Sequence, residues 1–159
     1  MSLKLPRTVA VLVIIGLLGA LFAVPAAARS DNATVVYRLA MSGAQEVCPS
    51  APTLCGGEGT GEAILIVNPN NDTVCFVARW RDVAGNIFAA HIHEAPVGVA
   101  GDIVVPLLGP VSLESEDRAR GCVPADGEII DEINANPSGF YINFHSTVHP
   151  MGALRDQLG

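Results

Sequence analysis

The chain almost lacks lysine. Lys4 is the single lysine among 159 residues and lies close to the N-terminus. Charged residues make up only 16% of the sequence and aromatic residues 5%, and acidic side chains outnumber basic ones 16 to 9. No run of basic residues occurs anywhere. Nucleic acids and anionic membrane surfaces call for clustered positive charge, so neither is expected as a partner. The acidity favours solubility and cationic partners, metal ions included. Several chemical motifs are missing as well. There is no Cys-x-x-Cys spacing, which argues against a cysteine metal site. The glycine-rich tract from Gly56 to Gly61 precedes no helix and lacks the Lys-Ser/Thr of a phosphate-binding loop, so it reads as a turn. Ser146 lies beside His145, but no Gly-x-Ser-x-Gly elbow is present, which leaves hydrolysis a distant reading.

Only one long apolar run exists, and it is N-terminal. Lys4 and Arg7 precede an uncharged stretch from Thr8 to Val24, then Pro25 and the small residues Ala26, Ala27 and Ala28. The run falls short of the roughly 20 residues of a comfortable membrane span. Residues 1–28 therefore predict a secretory signal peptide cleaved near Ala28, and no cysteine nearby supports a lipid anchor. The mature chain, residues 29–159, has the size of one ordinary domain. It is expected to be secreted or extracytoplasmic, with no membrane contact after cleavage. Asn32 and Asn71 stand in glycan-acceptor sequences whose use depends on the host.

The cysteines fit an exported chain. Cys48, Cys55, Cys75 and Cys122 form an even set, and four cysteines allow three pairings. Cys48 and Cys55 flank a short loop and pair most naturally with each other. Cys75 then joins Cys122, closing a long loop that stabilises by about 4 kcal/mol on the chain-entropy model.

Most of the remaining chain alternates with the period of a strand. Thr34–Ser42, Glu62–Val67, Thr73–Arg81, a strand around His91, Asp102–Leu108, Phe140–Ser146 and Ala153–Leu158 are expected strands. The second and third form a hairpin over the turn at residues 68–72. Pro106 places its strand at an edge or a bulge. Residues 109–121 look polar and irregular. Asp126–Ala135 is the expected helix, capped by Asp126, with Ile129, Ile130 and Ile133 in one stripe. The pattern predicts an all-β fold: an antiparallel, Greek-key-like β-sandwich with one short helix.

All four histidines fall in two pairs. Strand alternation puts His91 and His93 on one face about 7 Å apart, and Ile92 on the other. Phe140, Ile142 and Phe144 point inward, so Tyr141, Asn143 and His145 take the opposite face, which need not be core. Pro150 and Gly152 suggest a bend that carries His149 back toward it. Three or four neutral imidazoles suit copper or zinc. Surface or hydrogen-bonded histidines at strand ends are the bland alternative.

The segments AHIHEAPVGVAGDIVVPL and GFYINFHSTVHPMGALRDQL together resemble the CHRD domain, first described in chordin. His91, His93, His145, His149, Pro150, Gly152, Arg155, Gln157 and Leu158 match the family pattern in place. Ser42–Val47 resembles its early Leu-Ser-Gly-x-x-Glu-Val segment. Glu94, Ala153 and Asp156 depart from it without removing a histidine. The resemblance implies a β-sandwich, found in animals in extracellular signalling antagonists. A weaker similarity is to copper-zinc superoxide dismutase, which also combines a His-x-His strand, a distant histidine and an arginine beside copper. It implies His91, His93 and one or both of His145 and His149 as metal ligands and Arg155 as the catalytic arginine. The bridging zinc site of that enzyme has no counterpart, which favours a single copper ion. Two functions follow: a copper site of dismutase or copper-handling type, or a metal-free module that binds an extracellular protein and uses its histidines structurally. N-terminal sequencing of the exported protein is expected to begin at about Arg29; retention of Lys4 in that product would overturn the cleavage.

Overall fold

The computed structural model describes residues 33–48, 52–108 and 113–159. The expected signal segment, its cleavage point and Asn32 lie outside them. Nine strands are found: β1 (Val35–Ser42), β2 (Thr60–Asn68), β3 (Thr73–Arg81), β4 (Ile87–Glu94), β5 (Asp102–Leu108), β6 (Leu113–Ser115), β7 (Arg118–Pro124), β8 (Phe140–Ser146) and β9 (Leu154–Gln157). One helix, α1 (Gly127–Ala135), lies between β7 and β8. Among the described residues, no helix is long and apolar enough to cross a membrane.

All strands pair antiparallel in one continuous sheet, in the order β5-β4-β8-β9-β1-β2-β3-β7-β6. The sheet folds over on itself. Trp80 of β3 and Phe144 of β8 have three strands between them in that order, yet their ring centroids are 5.6 Å apart. The two halves thus face each other across one apolar core, in the manner of a sandwich. Alternate residues fill it: Leu39, Met41, Leu65, Val67, Phe76, Trp80, Ile92, Val105, Ile142, Phe144 and Leu154. Ile130 and Ile133 of α1 are fully buried, and the Asp126 side chain caps the helix by accepting from the Glu128 amide.

The sheet has two sequence surprises. β7 falls in and beyond the stretch expected to be irregular. Its inward positions are Ala119, Gly121 and Val123, too small for an apolar period to register, and its pairing with β3 holds it in place. The second surprise is β8. Its outward residues are as buried as its inward ones, so the face that was expected to need no cover is covered. Pro106 does sit on an edge strand, beside a register shift at Ala90 and His91.

Both expected disulfides are present, Cys48–Cys55 and Cys75–Cys122. The second joins residues directly opposite each other on β3 and β7. Because the Trp80–Phe144 contact closes the two halves, Phe144→Ala is expected to lower unfolding free energy by about 3–5 kcal/mol in urea titration. A loss below 1 kcal/mol would contradict the closure.

Candidate metal centre

The site lies on the outer face of β4, β8 and β9, opposite the core. Register places its residues in rows: His91 opposite Asn143, and Asn143 opposite Arg155. In the next row His93 faces Tyr141, and Tyr141 faces Gln157. His145 faces Ala89, two residues from His91. Directly opposed residues in an antiparallel pair share a face, so one polar layer spans three strands.

Loops roof this layer. Gly101 lies over His93 and Tyr141: its carbonyl accepts from His93 Nδ1 at 2.9 Å and its amide donates to the Tyr141 hydroxyl at 3.1 Å. Gln157 Nε2 donates to the Ala95 carbonyl at 2.8 Å, and Arg155 donates to the Pro96 carbonyl at 3.3 Å. From the other side Glu46 reaches in, accepting from Asn143 Nδ2 at 3.3 Å. The cover needs glycine at Gly152, with φ of 135°, where a Cβ would overlap the Glu46 carboxylate. His93, Asn143, His145 and Arg155 are buried in consequence, and His91 is half-buried.

One ring nitrogen from each of His91, His93 and His145 lies within 4.8 Å of the other two. His91 Nδ1 and His145 Nε2 are 3.1 Å apart. The bend after Ser146 has an unexpected role here. Its Pro150 carbonyl meets His145 Nδ1 at 3.1 Å. A carbonyl only accepts, so His93 and His145 both carry their proton on Nδ1. Their Nε2 lone pairs are left for another partner, the arrangement by which neighbouring carbonyls orient metal-binding imidazoles. For His93 that nitrogen is buried without a hydrogen bond. His91 Nδ1 donates to His145 Nε2 in this state. Moving that proton to its own Nε2 frees a third lone pair with no net proton release.

His149 is placed differently. Its ring stands against Gly57, where a Cβ would lie 2.7 Å from Cε1, and it is not among the three clustered imidazoles. Gly57, at φ of 113°, allows that approach. Ser146 is structural: buried, it donates to the Ala84 carbonyl at 2.7 Å and accepts from the His149 amide at 3.0 Å. Arg155 lies with its guanidinium carbon 3.4 Å from the Tyr141 ring centroid, while the His93 ring stacks on Tyr141 at 4.9 Å.

Burial sets the electrostatics. It holds His91 down at about 4, helped by the neighbouring imidazoles of His145 and His93. Burial also lowers His93 and His145, against the hydrogen bonds from Gly101 and Pro150. All three rings are neutral at pH 7, the form that ligates metal. Glu46 moves the other way. Burial pushes it up to about 7, against the pull of the Arg155 charge and the Asn143 amide. Its Oε1 and the Asn143 Oδ1 are also buried without a hydrogen bond. Three of the four such atoms among the described residues therefore sit in this one layer. Sequence reading missed Glu46. Its place in the Leu-Ser-Gly-x-x-Glu-Val resemblance was the available signal, but that segment gives no role, and only the cover brings Glu46 to the histidines.

The donor set fits a metal ion. Three neutral imidazole nitrogens lie close together, two with tautomers set by carbonyls, and one is buried with nothing to accept from. Imidazole–metal bonds of about 2.0–2.1 Å require only that the rings draw in slightly around a common point.

The protein is thus an antiparallel β-sandwich with a three-histidine cluster on one outer face. The CHRD domain model matches residues 37–158, most of the chain, and the chain belongs to that family. No curated protein and no solved structure matches it.

The pH dependence follows from the shifts. The histidines have folded pKa values below the unfolded value near 6.5. As pH falls below that, the unfolded state takes up more protons and stability is lost. Glu46, raised in the fold, opposes this between pH 7 and about 4.5, because there the folded state binds the extra proton. Metal-free protein in chelator is expected to melt at progressively lower temperature from pH 7 to 5, and Glu46→Gln to steepen that fall. Equal slopes for the two proteins in calorimetry would refute the opposition.

Proposed function

We propose that the chain is an exported CHRD domain that binds one copper ion through His91, His93 and His145. The observation that carries this reading is the convergence of one ring nitrogen from each of His91, His93 and His145 within 4.8 Å, beside a buried His93 Nε2 that has no hydrogen bond. Copper is favoured over zinc because an all-nitrogen set ranks copper(II) highest among the divalent first-row metals. Among the described residues neither cysteine nor carboxylate joins the cluster. Two disulfides and the N-terminal signal sequence support export. A bound copper ion would supply one-electron redox chemistry. The protein's own part is to hold three neutral imidazoles, with Gly101 and Pro150 fixing two tautomers and the roof excluding water.

Copper handling is favoured over superoxide dismutation. The Arg155 charge is felt at His93, yet the residue is 2% exposed and its guanidinium is spent on Tyr141, Pro96 and Gln157. A buried arginine is poorly placed to draw an anion from solvent. His149, packed on Gly57, has the role of holding the loop that follows Cys55. A second reading, a module that binds an extracellular protein, draws on exposed Val97, Val99 and Ile103 beside the edge strand β5.

Isothermal titration of untagged protein with copper(II) is expected to show one site. The His91→Ala/His93→Ala double variant is expected to lose it, with near-ultraviolet circular dichroism reporting that the fold remains. Binding should weaken below pH 6 as protons compete for the imidazoles. Unchanged binding in a folded double variant would remove the site and leave the protein-binding module.

A further inference from the structure

The other outer face of the sandwich concentrates positive charge. Register aligns Arg38, Ile64, Val77 and Arg120 in one row across β1, β2, β3 and β7. The next row is Ala40, Glu62, Arg79 and Arg118, and Arg81 follows on β3. The described residues contain six arginines and no lysine. Five of the six are exposed on this face, and the sixth is Arg155. The acids that share its hollows are Glu62, which pairs with Arg79 at 2.6 Å, and Asp117 at the rim. An acidic protein has therefore gathered its exposed cations in one place. Arg79 and Arg118 are directly opposed. Like charges in that position destabilise a sheet, and Glu62 offsets this through Arg79 alone.

The shape and chemistry narrow the ligand. A shallow groove of about 760 Å³ runs over this face, with Ile64 and Val77 on its floor and Arg38, Arg118 and Arg120 at its sides. Arg120, Arg118, Arg79 and Arg81 form a line with neighbours about 5–7 Å apart by strand geometry. A line of guanidinium groups, Arg79 among them already engaged by Glu62, suits carboxylates repeated along a chain. No aromatic side chain lines the groove, which removes the stacking platforms that single-stranded nucleic acid needs. The same lack removes the aromatic anchors of a protein interface. β1, β2, β3 and β7 all lie inside the sheet, so a peptide cannot add as a further strand here. Ile64 and Val77 add an exposed aliphatic surface beneath a chain lying along the arginines.

We propose that this face binds a linear acidic polysaccharide built of uronate sugars, its carboxylates lying along the arginine line. The site is separate from the histidine layer and does not depend on metal. Alginate oligosaccharides are the probe, titrated into the full protein in chelator. Saturable binding is expected, weakening about tenfold or more between roughly 50 and 200 mM salt. Arg118→Gln/Arg120→Gln should lower affinity about tenfold without lowering the melting temperature. Arg118→Lys/Arg120→Lys, which keeps the charge and loses the forks, should lower it several-fold, and His91→Ala should leave it intact. Failure to bind at 50 mM salt, or full affinity in both arginine double variants, would overturn the site. Equal binding of poly-glutamate or of single-stranded DNA of matched charge would also overturn it, by showing that charge alone is read.

Discussion

The pairing of β4 with β8 is the constraint on which the histidine layer depends. His91 faces Asn143 and His93 faces Tyr141 across that pair, while Ile92 faces Ile142 in the core. A slip of one residue would exchange the faces, putting imidazoles into the core and isoleucine into the polar layer. The apolar face therefore holds the polar face in place. Phe144 against Trp80, and Ile92 and Ile142 beneath them, keep His91 and His145 within 3.1 Å of each other.

Burying the polar layer is unfavourable on its own account, and the roof offsets most of it. Backbone carbonyls of Ala95, Pro96, Gly101 and Pro150 each accept from a side chain below. Buried polar groups are costly chiefly when left unpaired. The unpaired ones here are Glu46 Oε1, His93 Nε2 and Asn143 Oδ1. Natural folds tolerate such atoms where function uses them. Glu46 held near neutrality and three imidazoles held neutral make a site with little net charge of its own, apart from Arg155. Such a site takes its charge from what it binds.

The folded sheet gives this protein two outer faces with opposite characters around one core. On the half built from β4, β8 and β9, loops close over neutral and titratable groups. On the half built from β1, β2, β3 and β7, arginines stand in solvent. The cross-strand disulfide Cys75–Cys122 ties β3 to β7, so the β7 arginines keep their register against β3.

Alternation along Phe140–Ser146 and around His91 was enough, from the sequence alone, to separate core residues from histidines, because a strand has a period of two whatever surrounds it. The helix was equally legible, since its cap and isoleucine stripe are local. Cysteine parity and the short loop between Cys48 and Cys55 gave both disulfides. Tertiary structure decided the rest, because it required distant segments to meet. β7 was hidden by the smallness of Ala119 and Gly121, and only β3 beside it makes it a strand. Asn143 is covered by Glu46, far away in sequence, and His145 by the bend that follows its own strand. His149 separated from the other imidazoles when the bend spent its Pro150 carbonyl on His145 and set the His149 ring on Gly57. The arginines were scattered over β1, β3 and β7 with no cluster in sequence. Strand register, which is a long-range property, assembled them.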